Sequence, residues 1–177
     1  MKLKLFLICT LLLVGCTGPK YEKEDIIAVL EGAEVTVEDV LWQYSLEKEE
    51  EKIINWYLKQ EIVIQESQAR GITVSEDEID EIKQELFPGS KPPERYEYLD
   101  DKSFYEQQAA LLGVSPEEYY EIWEGITLTK QAYVEKYIDE KLGGPTEEEV
   151  DLWAQKIDEH IDELFDTYKK EGKLVIK

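Results

Sequence analysis

The chain has 177 residues, with 41 Asp and Glu against 20 Lys and Arg, giving a formal net charge of −21. A hydrophobic content of 42%, with four Trp and eleven Tyr, is enough for a packed domain and excludes wholesale disorder. The charge excludes a nucleic-acid binder, which needs basic side chains against phosphates. One His and two Cys leave too few ligands for zinc or iron–sulfur chemistry.

Met1-Lys2-Leu3-Lys4 is a short basic segment, followed by the apolar run Leu5 to Val14. That run is too short to cross a hydrocarbon layer of about 30 Å as a helix and has the form of a signal-peptide core. It ends in Leu13-Val14-Gly15-Cys16, which resembles the lipobox of bacterial lipoproteins. The resemblance implies a signal peptide over residues 1–15, cleavage before Cys16, and lipid chains on Cys16 that hold the protein to the bacterial cell membrane on its outer side. The competing reading is an ordinary signal peptide that happens to contain a Cys. Cys9 would leave with the peptide, and the loss of Lys2 and Lys4 would take the charge from −21 to −23. Residues 16–25 are polar, with Gly18 and Pro19, and read as a lipidated tether.

Residues 26–177 read as one mainly α domain with two short terminal β-strands. Ile26 to Leu30 is a short apolar run closed by turn residues, as expected for a buried strand. Thr36, with Asp39 three residues on, caps a short helix carrying Val37, Val40 and Leu41. A long helix is expected from about Glu47 to Arg70, with Ile54, Tyr57, Leu58, Ile62 and Ala69 on its inner stripe and Gly71 as its stop. Ser75-Glu76-Asp77-Glu78 opens the next helix, with Ile79, Ile82 and Leu86 on one face. Phe87 to Asp101, which holds Pro88, Gly89, Pro92 and Pro93, reads as a loop.

Further Ser/Thr-x-x-Glu boxes start helices at Ser103, Ser115 and Thr146, and Gly113, Gly143 and Gly172 stop them. Leu174-Val175-Ile176 is the second strand. Because an isolated strand is not stable, Ile26–Leu30 is expected to pair with Leu174–Ile176 and bring the two ends of the domain together.

The order of these pieces resembles the N-terminal domain of SurA/PrsA-type extracytoplasmic chaperones. The resemblance rests on Val29-Leu30-Glu31-Gly32-Ala33-Glu34-Val35-Thr36, on Glu66 to Ile79 around Ala69-Arg70-Gly71-Ile72, and on Leu112-Gly113-Val114-Ser115-Pro116-Glu117-Glu118-Tyr119. It covers nearly all of residues 26–177, and its motifs are caps and turns, which specify a fold better than an activity. Glu31 stands where those proteins usually carry Asn. Their prolyl isomerase domain would fall between Leu142 and Thr146, where only Gly143-Gly144-Pro145 lie. The resemblance therefore implies a chaperone part without isomerase activity, binding unfolded or exported polypeptides.

No catalytic residue, cofactor or metal site is expected. His160 is more often a structural residue than a lone ligand. The acidic runs do not follow a calcium-loop spacing, and 41 acids make any single carboxylate pair uninformative about hydrolysis. Aromatics off the helical stripes are the expected peptide-binding residues: Trp42, Trp56, Tyr96, Tyr98, Tyr120 and Trp123. Adjacent pairs such as Trp56-Tyr57 and Tyr119-Tyr120 are expected to leave one ring outside. The alternative function is a scaffold lipoprotein dedicated to one envelope partner.

Overall fold

A computed structural model describes residues 21–145 and 150–177. The expected signal peptide, Cys16, the first half of the expected tether and the Thr146 box lie outside the described residues. Within them are strands β1 (Ile26–Leu30), β2 (Ala33–Thr36) and β3 (Leu174–Ile176). The helices are α1 (Val37–Leu41), α2 (Glu50–Ala69), α3 (Glu76–Leu86), α4 (Pro92–Glu97), α5 (Ser103–Leu112), α6 (Pro116–Leu142) and α7 (Val150–Lys170). The fold is mainly α, as expected.

The two ends of the domain do meet. β1 pairs antiparallel with β3, with Ala28 opposite Ile176, Val29 opposite Val175 and Leu30 opposite Leu174. β2, read from the sequence as part of a turn, is a third strand on the other edge of β1, giving the order β2-β1-β3. Leu30 faces Ala33 across a two-residue loop in which Glu31 has φ 49° and Gly32 φ 84°. Positive φ at both positions is what a tight hairpin turn with the right twist requires.

Local signals place most helix ends. The Thr36 and Asp39 side chains each accept from the other's backbone N–H, at 2.8 and 3.3 Å. Ser75 and Glu78 do the same at 2.8 and 3.2 Å, and Ser115 Oγ accepts from the Glu118 N–H at 3.1 Å. At the end of α2, Gly71 at φ 81° lets the Ile72 N–H reach the Ser67 carbonyl at 3.0 Å, a Schellman closure.

Four expectations need correcting. α2 begins at Glu50, after Glu49 in a left-handed conformation, rather than at Glu47. Ala69 is exposed, and Val63, Ile64 and Ser67 complete the buried stripe of α2 instead. The 87–101 segment contains α4, because Pro92 and Pro93 occupy the first helical turn, where a missing N–H and a fixed φ cost nothing. Ser103 does not cap α5; its N–H donates to the Asp101 carboxylate at 2.9 Å.

The main core gathers the inner face of the sheet, α1, the N-terminal part of α2, α5 and the C-terminal half of α7, with Ala28, Val40, Leu58 and Tyr119 fully buried. Two of its polar groups are tied down: the Tyr119 hydroxyl donates to the Leu41 carbonyl at 3.0 Å, and the Gln108 amide donates to Leu41 and Tyr44 carbonyls, both at 2.8 Å. A second cluster buries Val63, Tyr137 and Ile138 between α2, α6 and α7. A third, Ile79 with Leu128 and Ala132, seats α3 on α6. The 27-residue α6 is the central element and packs against α2, α3, α4, α5 and α7. Among the described residues no helix is long and apolar enough to cross a membrane.

Candidate peptide-binding groove

The six aromatics expected to bind peptide divide sharply. Trp42 stacks on Tyr119 with ring centroids 5.7 Å apart. Tyr119 meets Tyr105 at 6.3 Å, and Tyr105 meets Tyr96, Tyr120 and Trp123 at 6.3, 5.2 and 5.2 Å. Trp42, Tyr96, Tyr120 and Trp123 therefore belong to one packed cluster centred on Tyr105, joining α1, α4, α5 and α6. Tyr96 and Tyr120 are buried and Trp42 and Trp123 half-buried. The expectation that Tyr119 and Tyr120 cannot both face inward is overturned: α6 has neighbours on both sides, so adjacent residues both find cover.

Beside this cluster lies a buried ion pair. Arg95 of α4 grips Glu124 of α6 through two nitrogens, Nε to Oε1 at 2.7 Å and Nη2 to Oε2. Arg95 Nη1 also donates to the Ser90 carbonyl at 2.7 Å, and the Tyr120 hydroxyl donates to Glu124 at 3.2 Å. The hydrogen bonds that Arg95 donates to Glu124 hold its guanidinium above its ordinary pKa, and burial next to that carboxylate pushes the Tyr120 phenol up to about 12. These groups are satisfied and closed, and they fasten α4 to α6.

Trp56 and Tyr98 remain outside, 56% and 82% exposed. Tyr98 caps the end of α4 and does not line the groove that Trp56 does. Trp56 is different, because it forms one wall of a groove of about 640 Å³ between α2, α6 and α7. α2 contributes Trp56, Lys59, Gln60 and Val63; α6 contributes Thr127, Gln131, Val134 and Glu135; α7 contributes Ile157, Asp158, Ile161 and Asp162. Three- and four-residue spacing in each set puts those side chains on one face of each helix. The floor is the uncovered side of the second cluster, with Val134, Ile157 and Ile161 only partly buried.

Two contacts hold the groove's shape. Lys59 and Asp162 form an ion pair from α2 to α7. The Trp153 indole N–H donates to the Gly143 carbonyl at 2.8 Å, tying the start of α7 to the end of α6. His160 lies outside the groove lining; its Nε2 is 3.0 Å from the Tyr137 hydroxyl, with the two rings stacked at 5.8 Å. Among the described residues no group of three or more His, Cys, Asp and Glu is placed to hold a metal ion.

Sequence reasoning found Trp56 because it follows the wrong phase of the α2 stripe. The α6 and α7 residues carry no such signal, since Val134, Ile157 and Ile161 have the spacing of ordinary core positions. A cavity of this size falls within the range of about 300–1,000 Å³ that ligand sites occupy. Its apolar floor and polar edges suit it to holding an apolar chain segment. No family model, curated protein or solved structure matches this chain.

Proposed function

We propose that this is a lipid-anchored extracytoplasmic chaperone that holds apolar segments of unfolded exported polypeptides in the α2–α6–α7 groove, without prolyl isomerase activity. One observation carries the reading: a 56% exposed Trp stands over an apolar floor that the fold leaves uncovered. A large, stiff ring offers contact area with few torsions to freeze, which suits variable partners. Gln60 and Gln131 at the edges supply donors and acceptors for a bound backbone. The resemblance to SurA/PrsA-type domains and the Leu13 to Cys16 motif support the cellular setting.

The test is suppression of aggregation of a reduced, unfolded client by the full chain, with light scattering as the readout. Suppression is expected at near-stoichiometric amounts and is lost in Trp56→Ala, whereas Tyr98→Ala keeps it. No suppression at several-fold molar excess overturns the proposal. Crosslinking from position 56 in membranes should capture many clients; one partner in fixed ratio would instead select the scaffold reading. For the anchor, Cys16→Ser should move the protein from the membrane to the soluble fraction and abolish incorporation of labelled palmitate. A variant that stays membrane-bound and labelled overturns lipidation at Cys16.

A further inference from the structure

We infer that the groove selects segments in which apolar or aromatic residues are flanked by Lys or Arg. This rests on the groove being a polypeptide site, and it adds a charge requirement to that reading.

The floor of the groove, formed by Trp56, Val63 and the α6 and α7 aliphatics, carries no charge, so selection by charge must come from the edges. Those edges hold one cation, Lys59, and three carboxylates, Glu135, Asp158 and Asp162. Lys59 is engaged by Asp162. Glu135 accepts only a neutral amide hydrogen bond, from Gln131 at 2.8 Å, and neither it nor Asp158 has an ion-pair partner among the described residues. A ligand that enters therefore meets two uncompensated carboxylates beside an apolar strip.

The same polarity continues past Trp56. Trp56 and Lys59 also line a second depression with Glu49, Glu50, Glu51, Lys52 and Asn55 at the start of α2. Lys52 is held by Glu49 at 3.3 Å, and Glu51 beside them has no ion-pair partner among the described residues. A chain lying from α7 across Trp56 to the start of α2 would run along an apolar track edged by carboxylates. Lys or Arg stems can lie along such a track while their charged ends reach its rim. The exposed face of Trp56 adds a further attraction for a cation.

Alternative occupants fit less well. An anionic segment would bring like charge to Asp158 and Glu135, and an acyl chain would leave both carboxylates without a partner. The overall charge of −21 attracts any cation at long range, so a test must separate the groove from that general field.

Three synthetic peptides would share their length and apolar positions and carry Lys, Ser or Glu at the flanking positions. Their binding to the full chain in nonionic detergent is measured by fluorescence anisotropy. The Lys peptide should bind about tenfold tighter than the Glu peptide at low salt, with Ser between them. The gap should narrow as salt rises from about 0.05 to about 0.5 M, because these charges are screened.

Asp158→Asn with Glu135→Gln should shrink the gap between the Lys and Glu peptides to about twofold. Asp77→Asn with Glu81→Gln removes the same charge from α3 and should leave the gap intact. Equal binding of all three peptides by the unmodified chain overturns charge selection while leaving the chaperone reading standing. A gap that persists in the groove variant, or disappears in the α3 variant, removes the groove as its source. Failure of every peptide to bind overturns the polypeptide site itself.

Discussion

The two ends of the helical layer are built from the same helices and finished differently. Around Leu58 and Tyr119 the packing is closed: the sheet, α1 and α5 cover α2 and α6, and Phe165 and Tyr168 of α7 complete the core. Around Val63 and Tyr137 the packing stops at three fully buried residues, and no strand or further helix among the described residues covers the rest. α7 belongs to both ends. Its last turns bury Phe165 and Tyr168, while Val150 and Leu152 at its start are about half exposed and Ile157 and Ile161 line the groove. The difference shows that an apolar stripe becomes closed core or open groove according to what covers it, not according to its own spacing.

The strongest way to break the closed side is to orphan one member of its buried ion pair. Glu124→Ala leaves the Arg95 guanidinium buried without its carboxylate, a loss expected to cost about 3–5 kcal/mol in urea denaturation. Replacing both partners, Arg95→Met with Glu124→Leu, should cost far less, because no buried charge remains. If the double replacement is as damaging as the single one, the pair is not what fastens α4 to α6.

Two positions on α2 then set the ends against each other directly. Leu58 is 0% exposed in the closed core, and Leu58→Ala should cost about 2–5 kcal/mol through lost contacts and a cavity. Trp56, two residues earlier, should cost within about 0.5 kcal/mol as Trp56→Ala, since most of its ring is already in water. A large stability loss at Trp56 would mean that the groove is filled in solution by the protein itself.

A smaller effect is expected where α3 sits on α6. Lys136 pairs with Glu78 and also donates to the Thr73 carbonyl at 2.8 Å. The hydrogen bond from Lys136, and then the Ser75 N–H, lower the Glu78 carboxyl from its ordinary 4.5 to about 2. A carboxylate held low when folded stabilises the fold above its unfolded pKa. That contribution fades as pH falls from about 4.5 and is gone below about 2. Hydrogen exchange of α3 amides should therefore speed up across that window relative to α5, and Glu78→Gln should remove the window. An unchanged acid profile in the variant would show that the apolar contacts of Ile79 and Ile82, not the ion pair, hold α3 in place.

How legible each feature was in the sequence follows from how local its cause is. The Thr36, Ser75 and Ser115 caps and the Gly71 and Gly113 stops depend on residues within one turn, and they stand where the sequence places them. The β1–β3 pairing followed from the need of two short strands for a partner. β2 was missed because Glu31-Gly32 lacks the Asn-Gly or Asp-Gly mark of a tight hairpin. α4 was missed because two prolines read as a break although they serve equally well as a first turn. The burial of Tyr96 and Tyr120 was not legible, since the rule that adjacent residues face apart assumes a helix covered on one side. The groove was not legible either, because it is set by how three helices diverge; only Trp56 betrayed it.

A stabilising substitution tests whether the α3 contact belongs with the open or the closed end. Gly125 lies inside α6, facing a cleft that Val74, Ile79 and Thr129 also line. A Cβ built on it meets nothing within 4 Å, so no close approach requires glycine there. Glycine inside a helix costs about 0.5–1 kcal/mol relative to alanine, because it leaves the unfolded chain freer. Gly125→Ala should therefore raise stability by that amount, read as a shift in urea midpoint at constant slope. The gain requires the space beside Gly125 to stay open. If α3 instead closes over Gly125 in solution, the added methyl collides with it, the sign reverses, and the α3 face joins the closed end of the molecule.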